Sequence, residues 1–285
     1  MNRTYHTLST VHAGLAALAL TIASTAVWAD DHDEDDEEIP FDEAELFFEL
    51  NNTDGDLGIH ALIDGEGWKR LRIEDPNERK MLNVKVQGRL RRQGLTEIFF
   101  ESAEPIFDDL PPPVFFARFP EGEYDIWGRT LDGSELGSET ELTHTMPAPA
   151  AAMVNGFPFA TQCNDEEPGF NATELMDPDE VIISWPDVTM SHPDALGGGA
   201  GVQPPIPVTI ENYQVVVEVE AENPDPAGEP FEAIFSIELP PWETSATIPE
   251  EFIDLGDEFK YEVLAREESF NQTAVESCFV LVEME

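Results

Sequence analysis

The sequence predicts an all-β protein of two tandem β-sandwiches behind a cleaved signal peptide and a disordered acidic leader. Apolar residues recur at every second place in Glu180-Val-Ile-Ile-Ser-Trp185, in Tyr213-Gln-Val-Val-Val-Glu-Val219 and from Ile253 to Ala265. That period turns one face of each segment into a core, as in a half-buried antiparallel strand. No long helical pattern competes with these strands beyond the first 30 residues, and 285 residues suffice for two domains that each bury their own core.

The elements follow in chain order. Residues 1–29 read as a signal peptide: Arg3 precedes the apolar run Ala13 to Ala23, and the small residues of Ala26-Val27-Trp28-Ala29 suit cleavage after Ala29. A retained membrane anchor is the alternative, but the run is too short to span a bilayer with Arg3 as its only charged flank. No cysteine at the cleavage point marks a lipoprotein, and no later stretch is apolar enough to span, so the mature chain is expected to be secreted, periplasmic or at the cell surface. Residues 30–39 form the leader, where eight acidic residues between Asp30 and Glu38 repel one another with nothing to bury.

Residues 40–146 are expected to form the first sandwich. Its strands run over Ala44 to Leu50, Leu57 to Ile63, Trp68 to Ile73, Met81 to Val86 and Val114 to Phe119, with Asp75-Pro-Asn-Glu turning the third into the fourth. Pro120-Glu-Gly122-Glu-Tyr124 then leads into an alternating strand to Thr130, and Asp132-Gly133 turns it toward Glu139 to His144. Residues 147–159, rich in proline and alanine and without charge, read as a semi-stiff linker. Residues 160–285 form the second sandwich, interrupted by the long loop Ser191 to Pro207 around Gly197-Gly-Gly-Ala-Gly201; such a loop is either a binding loop or a plain insertion.

The second sandwich resembles a fibronectin type III domain over residues 180 to 285. Ser184 and Trp185 stand where that family carries its core tryptophan, and Ile253, Gly256, Asp257, Glu258 and Phe259 follow its Leu-x-Pro-Gly-Thr-x-Tyr corner. Leu255 replaces the proline, and Phe259 replaces the tyrosine whose hydroxyl would bond back to the chain. The first sandwich is similar to an immunoglobulin-like one, with Tyr124 keeping the corner hydroxyl. Tyr124, Trp185, Tyr213, Phe259 and Tyr261 are the core aromatics this resemblance implies.

Charge bears on partners. With 60 acidic and 14 basic residues the formal net charge is −46. The leader carries eight acidic residues, the first sandwich 23 acidic against 11 basic, and the second 29 against two. Such a surface repels nucleic acid and anionic lipid. It suits either salty surroundings, where counterions screen the repulsion, or the collection of calcium. Nine of the 14 cations nevertheless fall between Lys69 and Arg92. Lys69, Arg70, Arg72, Arg89, Arg91 and Arg92 are the candidate strip for a sulfated or uronic glycan; the competing explanation is that they balance nearby carboxylates. Strand alternation puts Arg70 and Arg72 on the face of Trp68, with Lys69, Leu71 and Ile73 on the other.

No cofactor is implied apart from calcium. Asn52, Asp54 and Asp56 offer oxygen ligands around Gly55, although a plain Asn/Asp/Gly turn explains the same residues. His32, His60, His144 and His192 lie far apart, with no cysteine or histidine at ligand spacing, which argues against zinc or copper. Cys163 and Cys278 can form one disulfide in an exported chain, or remain two buried thiols. Asn51, Asn171 and Asn271 begin Asn-x-Thr triplets that matter only in a host that glycosylates.

These features favour an exported, non-catalytic binding or structural protein that presents loops to an extracellular glycan, surface polymer or protein. The alternatives are a secreted carboxylate-dependent hydrolase, or an accessory module of one, and a subunit of an extracellular assembly. No catalytic signature is present.

Overall fold

Strand periodicity in the first half is realised around one very long strand. The computed structural model describes residues 38–160, 163, 171–176, 178–193, 204–221 and 229–282, all within the unit Asp36–Glu285. The expected signal peptide, most of the acidic leader and the middle of the 191–207 loop lie outside the described residues.

Strands β1 (Glu43–Asn51) and β2 (Asp56–Glu74) form an antiparallel hairpin, in which Leu50 faces Leu57 and Phe47 faces His60. The two segments expected at Leu57 to Ile63 and Trp68 to Ile73 are one 19-residue strand. Its first half pairs with β1 and β4 (Leu95–Glu101), its second half with β3 (Lys80–Lys85) and β5 (Gly122–Thr130). The register shifts between Asp64 and Trp68, beside Gly65, where a Cβ would come 3.1 Å from Phe41 Cδ1. A second bulge leaves Trp68 opposite Thr130 and Arg70 opposite Arg129, so Lys69 is an extra residue. This corrects the alternation expected there: Trp68 is buried with Leu71 and Ile73, while Arg70 and Arg72 point to the other face.

Strand β6 (Glu135–Leu142) pairs with β5. The expected strand Val114 to Phe119 is instead a short helix, α1 (Pro112–Phe116), followed by a turn. Pro112 sits in its first turn, where the missing N–H has no intrahelical acceptor to lose. Phe115 and Phe116 pack edge-on against Phe48, closing a core of Leu46, Phe48, Ile59, Ile63, Trp68, Leu71 and Ile126. Tyr124 is fully buried, and its hydroxyl donates to the Pro120 carbonyl at 3.0 Å.

The second half is a sandwich of unequal sheets. Strands β7 (Met153–Val154), β8 (Phe157–Pro158), β10 (Val181–Ser184) and β13 (Ser245–Ile248) form the small sheet, in the order β13-β10-β7-β8. Strands β9 (Thr173–Met176), β11 (Ile210–Ala221), β12 (Phe231–Leu239), β14 (Glu258–Glu267) and β15 (Gln272–Val282) join the large sheet; the short helix α2 (Glu250–Ile253) precedes β14. Between the sheets lie Val154, Ile183, Trp185, Tyr213, Val217, Phe259, Tyr261 and Phe279. Trp185 packs 5.2 Å from Tyr213, and Phe259 stacks on Phe279 at 4.8 Å. Phe259 has no hydroxyl; in this half it is Tyr213 whose hydroxyl oxygen accepts from the Val188 N–H at 2.9 Å. Cys163 and Cys278 are disulfide-bonded, tying the entry of this half to its last strand.

The halves have separate cores but share a sheet. Strand β15 pairs in parallel with β1, Glu49 facing Gln272 and Asn51 facing Ala274, so the main path runs β12-β11-β14-β15-β1-β2-β5-β6. The segment expected as a spacer is built into this junction. Ala150, Ala152 and Val154 are buried, the Pro147 carbonyl accepts from Thr273 Oγ1 at 2.8 Å, and the Ala148 N–H donates to the Met190 carbonyl at 2.9 Å. Its small apolar side chains fit a closely packed site, which composition alone does not distinguish from a linker.

Candidate functional site

Two surfaces gather chemistry, and the first is the outward face of β3, β2 and β5. Because the bulge at Lys69 swings Arg70 and Arg72 outward, ladder register aligns Lys85, Arg70 and Arg129 in one cross-strand row, and Asn83, Arg72 and Trp127 in the next. Arg72 lies 5.4 Å and Arg129 5.6 Å from the Trp127 ring centre, so one ring holds two guanidiniums by cation–π contact. Arg72 pairs with Glu74 at 3.3 Å and Arg129 with Glu135. Arg70, Lys85, Arg89, Arg91 and Arg92 have no ion pair among the described residues.

Of the expected strip, Arg70 and Arg72 lie in these rows. Arg89, Arg91 and Arg92 sit exposed at the 3-10 turn Leu90–Arg92 between β3 and β4. Lys69, displaced by the bulge, donates from Nζ to the Leu131 carbonyl at 3.2 Å. Lys85 belongs to the run of nine cations between Lys69 and Arg92, but Arg129 and Trp127 lie outside it, and only strand register brings the three together.

The second surface is the open side of the seam between β1 and β15. Alternation that sends Leu46, Phe48 and Leu50 into the core sends Phe47, Glu49 and Asn51 to the opposite face, beside His60 of β2. His60 is almost wholly buried; its Nε2 lies 2.9 Å from Glu104 Oε1, and its Nδ1 is 3.8 Å from Glu49 Oε2. One ligand atom from each of Glu49, His60 and Glu104 falls within 4.8 Å of the others. Gly58 makes room for this: a Cβ there would stand 2.1 Å from Glu104 Oε1. Gln272 Nε2 donates to Glu49 Oε2, and Asn51 Nδ2 donates to Glu276 Oε1 at 2.7 Å.

Glu262 of β14 and Glu276 of β15 sit directly opposite each other on the same face. Burial, then the neighbouring carboxylates Glu49, Glu276, Glu218 and Glu104, push the Glu262 carboxyl up to about 8. Burial and Glu104 push Asp56 up to about 6. Glu49 and Glu276 are also raised, chiefly by burial. Burial alone would lower the His60 imidazole, but the Glu104 hydrogen bond and the Glu49 charge outweigh it and raise it.

The residues of the expected calcium loop form a local turn. Asn51 Oδ1 accepts from the Thr53 and Asp54 N–H groups at 2.9 and 3.1 Å, an Asx turn that accounts for the local sequence. Asn52 Oδ1 meets His192 Nε2 at 3.0 Å. Asp56 instead feels the seam carboxylates. The base of the 191–207 loop is closed by the Ser191 N–H on the Ile206 carbonyl at 2.8 Å.

Fold and surfaces together define an all-β protein of fused sandwiches with a disulfide. Among the described residues no helix is long and apolar enough to cross a membrane. No protein-family model and no curated protein matches the chain. Among solved structures, it overlaps a bacterial ice-binding adhesin involved in host cell surface retention (8% identity, 86% of this chain, 66% of that one, TM-score 0.21). It also overlaps a tetra-tandem repeat from the extending region of a large adhesion protein (11% identity, 84% and 49%, TM-score 0.22) and the BSP domain of a biofilm-associated protein (10% identity, 85% and 29%, TM-score 0.22). The chain thus spans from under a third to about two thirds of those chains. Superpositions this loose carry no functional argument.

Proposed function

We propose that this chain is an exported, non-catalytic binding protein whose β3-β2-β5 face takes an anionic extracellular polymer, of the sulfated or uronic glycan class. The observation that carries the reading is the row Lys85, Arg70, Arg129 beside Arg72 and Trp127. Like charges directly opposite one another across a sheet are destabilising unless an anion lies over them. In a chain of net charge −46, five cations of this region without an ion pair among the described residues are not explained by neutralisation there. The Trp127 ring holds the Arg72 and Arg129 guanidiniums on this face. The Cys163–Cys278 disulfide fits an oxidising compartment, and the resemblance to fibronectin type III and immunoglobulin-like sandwiches fits a scaffold that presents a surface.

The test is binding of dextran sulfate and polygalacturonate to the chain lacking residues 1–29, at low and at physiological salt. Arg70→Ser combined with Lys85→Ser should weaken binding at least tenfold, and Trp127→Ala should weaken it further. Removing residues 30–38 should strengthen it, because the leader competes for the same cations. Absence of polyanion binding at low salt, or binding indifferent to the Arg70/Lys85 pair, would overturn the reading.

A second reading, an assembly subunit, has one observation in its favour. Strand β12 pairs only with β11 among the described residues, and it carries exposed Phe231 and Ile234, with Trp242 exposed just beyond it.

A further inference from the structure

The seam pocket has a donor arrangement that hydrogen bonding leaves incomplete. His60 Nε2 is satisfied by Glu104 at 2.9 Å, and its ring is held between Phe47 and Phe99, whose centres lie 5.4 and 6.1 Å away. With the proton on Nε2, the Nδ1 lone pair faces a second acceptor, Glu49 Oε2, at 3.8 Å. Nδ1 has no hydrogen-bond partner among the described residues, and the side chain is only 5% exposed. Two lone pairs aimed at each other across this gap repel unless a proton or a metal cation stands between them.

We propose that Glu49 and His60 bind one divalent transition-metal ion, zinc-like in its preference for mixed nitrogen and oxygen donors, with Glu104 behind the imidazole as its orienting carboxylate. Metal bonds of about 2.0–2.2 Å to imidazole nitrogen and to carboxylate oxygen, meeting at an angle wider than tetrahedral, span such a gap. A ligating histidine whose other nitrogen donates to a carboxylate is the usual way protein fixes tautomer and ring orientation. Gly58 supports the same arrangement, since only a residue without Cβ leaves room for the Glu104 carboxylate against the strand. Gln272 holds Glu49 from the other half of the molecule, so the ion would sit where the two halves join. The nitrogen donor separates this site from a calcium loop, which is built of oxygens.

The competing arrangement is a proton on Nδ1, an imidazolium bridging two carboxylates with no ion bound. Calorimetric titration of chelator-treated protein with zinc, and separately with calcium, in molar sodium chloride distinguishes them, because diffuse counterion binding is screened there. The expected result is one zinc per chain. His60→Gln and Glu49→Gln should each weaken binding at least a hundredfold, and Glu104→Gln and Gly58→Ala about ten- to a hundredfold through loss of orientation. Circular dichroism and thermal midpoints of each variant report whether it folds. If His60→Gln does not fold, Glu49→Gln, with an isosteric partially exposed side chain, decides alone. No stoichiometric zinc on the wild-type protein, or zinc affinity unchanged in folded Glu49→Gln, overturns the proposal. Failure here leaves the polymer-binding face, built on the far half of β2 with β3 and β5, untouched.

Discussion

Replacing Asn271 with alanine should open the junction between the halves, because one buried side chain there serves three main-chain groups. Asn271 is fully buried; its Oδ1 accepts from the Phe48 N–H at 2.8 Å, and its Nδ2 donates to the Thr143 and Thr145 carbonyls at 3.0 and 2.9 Å. Phe48 belongs to β1, and Thr143 and Thr145 follow β6, so the amide clasps the last strand of the chain to both ends of the first sandwich. Truncation leaves these groups without partners away from water. At about 1–3 kcal/mol for each buried unsatisfied group, and with partial relief from water entry, the loss should be about 3–5 kcal/mol. That is near the upper end for a single substitution. Urea unfolding analysed by linear extrapolation gives the change, and hydrogen exchange at the Phe48 amide reports the broken bond directly. A loss below about 1 kcal/mol with Phe48 protection intact would refute the clasp. The same burial means that the Asn271-Gln-Thr triplet offers no glycan acceptor once folded.

Three further outcomes follow. Reducing the Cys163–Cys278 bridge, which spans a sequence separation of 115, should cost about 4–5 kcal/mol in the chain-entropy model, measured as a lower denaturant midpoint in reductant; an unchanged midpoint refutes it. Thermal midpoints should rise from low to molar sodium chloride, since a net charge of −46 repels itself and salt shortens the Debye length from about 10 Å at 0.1 M to about 3 Å at 1 M; a flat or falling profile contradicts this. The Asp75 carboxyl, which burial would raise, is held below its ordinary value of 3.8 by Arg79 and by the Arg79 and Asn77 N–H groups. A depressed folded value gives stability that is present above the unfolded value and lost as pH falls through the folded one. Asp75→Asn should therefore be less stable than wild type at pH 7, and the difference should shrink as pH falls below the ordinary value of 3.8 and through the lower folded one; a gap independent of pH would mean the carboxylate charge contributes nothing.

What the sequence determined by itself is the content of the cores. Period-two alternation placed Tyr213, Val215 and Val217 together on one face of β11, and Phe259, Tyr261 and Val263 on one face of β14, because side chains of a strand alternate whatever its partners. The Gly-x-Tyr corner at Tyr124 was legible because it is a local motif, and the pairing of the only two cysteines because no other partner exists. Where an extra residue shifts the alternation, local reading failed: Lys69 in a bulge reversed the faces of Trp68 and Arg70, and Pro112 turned an expected strand region into helix. Small apolar residues at 147–154 read as a linker because composition does not report what packs against it.

Tertiary structure alone decided the sites. Lys85, Arg70 and Arg129 become one row only through strand register, and Glu49, His60 and Glu104 meet through two antiparallel pairings and the absence of a side chain at Gly58. The histidines lacked any ligand spacing along the chain because the donors of a site between strands are separated by whole strands and turns. Alternation tells which face a residue takes; pairing partners, set by the whole fold, tell what it meets there.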